Sequence, residues 1–401
     1  MRGTEKVVNL FSHFIPSASK SPSWYSGRLW FLKLGHYKLQ RDKQQAPDWV
    51  WMVDHLVQAG ALKCLVVLGI RLKDMPQGRP LTRSDMEPLA IIPMETSNGD
   101  LVYEQLINIA EQMGAPRAVL ADHGSDIKLG IEKFCKFTKG TVYLYDIKHS
   151  MAALLKARLS KDDSWKSFLE LSAITKKYLQ QTKLAGLMPP KQRSKARYMN
   201  VEQMVAWGNK LLSRIDAGEF PEKVDQDKMK SKLGWLPFFR SELKTWGHII
   251  ESTIHTETYI RTHGYAIGVT DKVQQGLTAL KNCSDSRKFQ EKIIQSVFKE
   301  EAKLGIDDCF PGSTEVLESL FGSFKYFEGD QSQSGFSTSV LAIAAMVSST
   351  TTEDIQQAIE KTRVNDLRCW SDEMIGQSVQ AQRVAWLGKI KTQKLDEKIA
   401  A

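Results

Sequence analysis

The amino-acid sequence predicts an α/β fold: a mixed five-stranded sheet with helices on both faces, interrupted by a large all-α insertion. Three observations lead there. Five short β-rich apolar runs fall between Trp49 and Tyr145, helical periodicity separates the later runs, and the strand pattern vanishes beyond His149. Three consecutive strands pair as antiparallel neighbours, whereas the later two need crossover helices and so run parallel.

The elements follow in chain order. Ser21-Pro22-Ser23 caps a helix through Trp24, Leu29, Trp30, Phe31 and Leu34 that stops at Gly35. Residues 1–46 read equally as a helical arm packed on the main domain or as the remnant of a helix-turn-helix DNA-binding domain, with Arg28, Lys33 and Lys38 adding positive charge. The first part of the core, 47–159, opens with a strand from Trp49 to Val53 that ends at Asp54. Lys63 to Ile70 is the second strand and Leu89 to Pro93 the third, across a loop holding Pro76, Gly78 and Pro80. Asn98-Gly99 marks a turn, and Leu106, Ile109, Ala110 and Met113 then recur at helical spacing until Gly114-Ala115-Pro116. A fourth strand, Arg117 to Ala121, delivers Asp122; a helix from Ile127 to Phe134 leads to a fifth, Thr141 to Tyr145, ending at Asp146.

Residues 160–310 read as the α-helical insertion, broken at Pro189-Pro190, Gly218 to Pro221, Gly234 to Pro237 and Gly264. The segment 311–401 completes the core. It holds a helix from Thr314 to about Tyr326, an apolar helix from Val340 to Val347, a charged helix from Glu353 to Trp370 and a C-terminal helix. There is no internal repeat.

Composition narrows the class. A chain of 401 residues suits two or three domains, and 42% hydrophobic with 25% charged residues excludes wholesale disorder. No run approaches the ~18 apolar residues of a membrane span, and no apolar leader with a cleavage site opens the chain. Five scattered cysteines, never in a CxxC pair, argue against a disulfide framework or zinc finger and for a reducing cytoplasm. A net charge of +9 favours a polyanionic partner such as nucleic acid. Between Ser160 and Asn200, nine Lys or Arg stand against three acids. Within that stretch Lys191, Arg193, Lys195 and Arg197 read equally as a phosphate-contacting loop or a solvated one.

The chemistry centres on Asp54 and Asp122. If the first and fourth strands are neighbours, the two carboxylates converge at one edge of the sheet. Converging carboxylates repel unless a cation holds them, which makes a natural Mg²⁺ or Mn²⁺ site, although either Asp alone also suits a turn. His248, Glu251 and His255 share a helical face without matching the HExxH zinc pattern, and read as an ordinary polar face. Trp51 and Trp207 sit among apolar neighbours and read as core rather than base-stacking platforms.

Asp54 and Asp122, in their β-β-β-α-β order, resemble the first two carboxylates of the RNase H-like core of DDE transposases. The resemblance covers about residues 49–330 and looks closest to bacterial insertion-sequence enzymes. It implies a third carboxylate on a later helix, where Glu315 and Glu318 are available. Many members carry a basic residue seven positions after that glutamate; Lys325 holds this place for Glu318, whereas Gly322 holds it for Glu315. Asp146-Ile147-Lys148-His149 is similar to the [C/D]xxH signature of hAT and Mutator-like members, which often carry a long helical insertion before the glutamate.

The resemblance implies a DNA transposase that cleaves and transfers strands at insertion-sequence ends. Asp54, Asp122 and Glu318 would hold two Mg²⁺ (or Mn²⁺) ions about 4 Å apart. Asp146 and His149 would support them, and Lys325, Lys191, Arg193, Lys195 and Arg197 would meet double-stranded DNA, both terminal repeats and target. A homo-oligomer on DNA, nucleoid-associated in the cytoplasm and away from membranes, goes with that reading. The departure is the N-terminus, where fewer than fifty residues precede the sheet. That shortness implies a truncated chain or one frame of a split element. It keeps open a domesticated, non-catalytic DNA-binding relative, beside an RNase H-like nuclease.

Overall fold

The computed structural model describes residues 22–57, 63–191, 198, 201–218, 226–329, 337–376 and 386. The chain divides into two units, Met1–Leu144 with Thr314–Ala401, and Tyr145–Ser313. The first unit opens with α1 (Trp24–Gln40), followed by β1 (Trp49–Val57), β2 (Lys63–Arg71) and β3 (Glu87–Met94). Then come α2 (Gly99–Met113), β4 (Ala118–Ala121), α3 (Ser125–Phe137) and β5 (Val142–Tyr145).

The five strands form one sheet in the order β3-β2-β1-β4-β5. β1 runs antiparallel to β2 and parallel to β4, so the sheet is mixed. The first five residues of β1 are all buried, as a central strand covered on both faces requires. One face is settled by its core. Trp49, Trp51, Val53, Val119 and Ala121 pack with Val102, Leu106 and Ile109 of α2 and Ile127, Ile131 and Phe134 of α3. Trp51 stacks on Phe134 with ring centroids 5.7 Å apart. β3 at the sheet edge tolerates Pro88 and Pro93, where a missing backbone donor costs least.

One expectation fails at β1. The strand does not end at Asp54 but continues to Val57, because β2 keeps pairing with it through Val57↔Lys63. Only the pairing with β4 stops earlier, at Val53↔Ala121.

The second unit is helical. It comprises α4 (Ile147–Leu159), α5 (Asp163–Leu179), α6 (Val201–Ala217), α7 (Gln226–Leu233) and α8 (Arg240–His263). A two-residue strand β6 (Tyr265–Ala266), α9 (Val269–Ala279), α10 (Ser284–Glu301) and β7 (Cys309–Phe310) complete its described elements. α4 packs on α8 and α10 within the unit Tyr145–Ser313. An aromatic cluster forms its centre. Phe168 has the rings of Trp165, Trp207, Trp235, Phe239 and Trp246 within 5.4–6.2 Å, consistent with tryptophan as core. Gly264 ends α8 at φ +75, and a Cβ there would stand 2.3 Å from the Phe310 carbonyl oxygen, so only glycine fits the turn. Glu257 on α8 is pushed up to about 7, chiefly by burial against the attraction of Lys148, with the charge of Asp146 adding to the rise.

The first unit resumes with α11 (Glu315–Glu328), α12 (Ala342–Ala345), α13 (Thr352–Lys361) and α14 (Val364–Met374). The apolar run from Val340 is a 3₁₀ turn, Thr338–Leu341, leading into the short α12 rather than one longer helix. The charged stretch splits in two because Thr362 and Arg363 are extended. The predicted C-terminal helix lies outside the described residues.

α1 packs against α12, α13 and α14 as an arm on its own unit. It does not stop at Gly35 but runs on to Gln40. Gly35 serves close approach instead: a Cβ there would stand 1.9 Å from the Leu341 carbonyl oxygen. One turn on, Lys38 is fully buried, and its ammonium donates to the carbonyls of Val347 at 2.7 Å and Ser348 at 3.2 Å and to Thr350 Oγ1 at 2.7 Å. Burial, aided by the nearby Arg41 charge, lowers its pKa to about 8.

Two outcomes are expected. Gly35→Ala should destabilise the protein by about 1–3 kcal/mol, read as a lower denaturant midpoint at unchanged m-value; an unchanged midpoint would mean that α1 and α12 separate freely. Glu257 has a folded pKa raised from the usual 4.5 to about 7. Its contribution to stability is therefore complete below the unfolded pKa and disappears as pH rises through about 7. Glu257→Gln should flatten the fall in Tm between pH 5 and pH 8, and an unaltered slope would contradict this.

Candidate carboxylate site

Asp54 is the first residue of β1 beyond its pairing with β4, and Asp122 is the first residue beyond β4. Because Val53 faces Ala121 in register, the two aspartates leave neighbouring parallel strands at the same level. Asp122 emerges beside Asp54 at the end of β4, and because side chains alternate along a strand, Asp54 lies on the face opposite Trp51 and Val53. That is the face away from α2 and α3.

α11 packs on β1, and none of its buried residues belongs to the core beneath α2 and α3. It therefore covers the face of Asp54. Leu317, Leu320, Phe321 and Phe324 form its buried stripe, as their i, i+3, i+4, i+7 spacing predicts. Thr314 rather than Ser313 is its N-cap residue. Glu315 and Glu318 are both half-buried in the first turn, and Lys325 is exposed in the last.

Local hydrogen bonds orient the two aspartates. Asp54 Oδ1 accepts from the backbone N–H of His55 at 2.6 Å. Asp122 Oδ1 accepts from the N–H of Gly124 at 3.0 Å, and the Tyr143 hydroxyl donates to the Asp122 carbonyl at 2.7 Å. These are hard oxygen donors of the kind Mg²⁺ or Mn²⁺ takes. Glu318 is not gathered with them: among the described residues, no three His, Cys, Asp or Glu side chains stand close enough to hold a metal ion. The same holds for His248, Glu251 and His255.

Two sets of residues around the site have no signature in the sequence. Arg83, in the loop between β2 and β3, donates from Nη2 to the Ser319 carbonyl at 3.0 Å, to Ser319 Oγ at 2.7 Å and to Ser323 Oγ at 2.8 Å. It thus grips α11 beside Glu318. Behind the sheet, Asp126 Oδ2 accepts from Lys63 Nζ at 2.5 Å and from Ser97 Oγ at 2.7 Å, with His55 Nδ1 at 3.6 Å. Burial pushes the Asp126 carboxyl up, but the hydrogen bonds of Lys63 and Ser97 and the neighbouring His55 outweigh it and hold the group at about 2. Burial lowers the pKa of His55, against the pull of Asp126.

Asp146 and His149 belong to the helical unit. Asp146 is the N-cap residue of α4: its Oδ1 accepts from the His149 N–H at 2.7 Å and contacts His149 Nδ1 at 2.9 Å. Asp146 thus caps α4 through His149, with its carboxylate almost fully buried. Lys191 is exposed, while Arg193, Lys195 and Arg197 lie outside the described residues.

No protein-family model matches the chain, and no curated protein matches it. Among solved structures it is similar to the Drosophila P element transposase strand transfer complex, at 11% sequence identity and a TM-score of 0.40, over 86% of this chain and 89% of that one.

Proposed function

We propose that this chain is a DNA transposase with an RNase H-like core, cleaving and transferring DNA strands at insertion-sequence ends. The observation that carries the proposal is the pair of aspartates leaving β1 and β4 at one level, with Asp54 on the sheet face that α11 covers. The strand order β3-β2-β1-β4-β5, with β2 alone between β1 and the edge strand, supports it.

In this reading Asp54 and Asp122 bind from the sheet and Glu318 binds from α11. Two Mg²⁺ or Mn²⁺ ions held there would supply positive charge to the phosphodiester and acidify the attacking water or 3′-hydroxyl. The carboxylates orient the attack in line with the leaving 3′-oxygen. The buried stripe of α11 keeps Glu318 in place, and Arg83 stops the helix from rotating. Lys325, seven positions or about two turns beyond Glu318, shares its helix face and meets the DNA backbone. Lys191, with Arg193, Lys195 and Arg197, binds further phosphates, and Asp146 and His149 support the fold of the helical unit from which they come. The ungathered trio favours a second reading, a DNA-binding relative without catalysis.

Asp122→Ala should abolish Mg²⁺-dependent cleavage and strand transfer on element-end DNA while leaving gel-shift binding intact; persistent cleavage sinks the proposal. Binding with no cleavage by the unaltered chain selects the second reading, and cleavage without strand transfer selects a nuclease. Glu318→Gln should lower activity by orders of magnitude and Glu315→Gln far less, whereas the opposite ranking moves the third carboxylate to Glu315. Neutral replacements at Lys191, Arg193, Lys195 and Arg197 should reduce the salt slope of DNA binding by about one unit for each phosphate no longer neutralised. An unchanged slope removes that segment from the interface.

A further inference from the structure

We infer that His55 and Asp126 are positioning residues for the Asp54–Asp122 pair, acting from the far side of the sheet through a hydrogen-bonded cluster with Ser97 and Lys63. The inference rests on the proposed function, because it concerns the geometry of the proposed metal-binding carboxylates.

The cluster joins four segments that meet behind the two aspartates. His55 follows Asp54 in β1, and strand alternation turns it to the α2–α3 face. Asp126 lies in the first turn of α3, four positions beyond Asp122. Ser97 stands in the loop entering α2, and Lys63 is the first residue of β2. Asp126 Oδ2 is the common point, taking Lys63 Nζ at 2.5 Å and Ser97 Oγ at 2.7 Å, with His55 Nδ1 at 3.6 Å. The far side of the imidazole closes the ring, with Nε2 3.3 Å from Ser97 Oγ. The His55 and Asp126 side chains are only 6% and 11% exposed.

Serine, histidine and aspartate in contact have the composition of a hydrolytic triad, but the arrangement is not one. The Ser97 hydroxyl donates its hydrogen bond to Asp126 rather than to the imidazole, and Lys63 occupies the same carboxylate oxygen. What the cluster does is couple backbones. It ties the strand end that carries Asp54 to the helix whose N-terminal loop carries Asp122. A buried charged pair is an uncertain contributor to stability, since well-packed apolar residues often do as well. Its distinctive property is direction: each hydrogen bond has one geometry, and the two backbone segments held are those whose carboxylates must match an ion.

The test measures Mn²⁺ binding to the full chain by electron paramagnetic resonance, alongside Mn²⁺-dependent cleavage. The unaltered chain and Asp122→Ala examine the underlying reading: no Mn²⁺ binding by the former, or equal binding by the latter, removes that reading and this inference with it. Given binding that Asp122→Ala abolishes, Asp126→Asn and His55→Gln should weaken Mn²⁺ affinity by roughly 10–100-fold, with cleavage restored by excess Mn²⁺. Folded variants that bind Mn²⁺ as tightly as the unaltered chain overturn the inference. If either variant does not fold, Ser97→Ala decides: a several-fold loss of Mn²⁺ affinity supports the cluster's role, and an unchanged affinity refutes it.

Discussion

The parallel pairing of β1 with β4 is the constraint on which the rest of the sheet unit turns. Parallel neighbours cannot be joined by a tight turn, so the chain must leave the sheet and return through a helix. That crossover is α2, and α3 connects β4 to its neighbour β5. With α2 and α3 on one face, the other face of β1 needs its own cover, and α11 provides it from more than two hundred residues later in the chain. The register Val53↔Ala121 then fixes the level at which both aspartates emerge. A one-residue slip would move Asp54 to the core beneath α2 and α3 and turn Val53 to the opposite face. Burial of Trp51, Val53, Val119 and Ala121 on that side resists such a slip.

Much of this architecture is legible in the sequence, for physical reasons. β1, β2 and β4 are buried on both faces and so read as unbroken apolar runs, and α11 shows its stripe as a 3.6-residue period. What escapes are features created by partners far away in the chain. β1 continues through Asp54 and His55 because β2 pairs with them, and no local property of Asp-His marks a strand. Gly35 looks like a helix stop, yet the backbone of Leu341 lies against it and makes glycine a contact residue. Arg83 and the cluster of His55, Lys63, Ser97 and Asp126 are ordinary polar residues scattered through loops and element ends. Their hydrogen bonds exist only once the sheet has formed.

The helical unit shows the same division. Its helical character and its breaks are visible as loss of alternation and as Gly and Pro punctuation, and its tryptophans form an interior around Phe168 as their apolar neighbours suggest. The packing of α4 on α8 and α10 is not visible, because α4 reads as a helix wherever it docks. The Asp146–His149 spacing is informative in a different way. A three-residue separation at a helix start suits a catalytic signature and a side-chain cap alike, and Asp146 does cap α4.

Lys38 carries a further consequence. Its ammonium sits among two carbonyls and a hydroxyl, so this contact fastens α1 by dipoles in an enclosed pocket, beside the ion pairs that Arg41 at the helix end makes with Glu87 and Asp354. Mobile ions screen charges that face solvent and reach enclosed ones far less. Ionic strength therefore leaves this contact largely unchanged. An arginine could not replace it, since a planar fork cannot direct three donors around a compact point. Lys38 thus ties the first helix to the sheet unit's scaffold by a contact that salt hardly reaches.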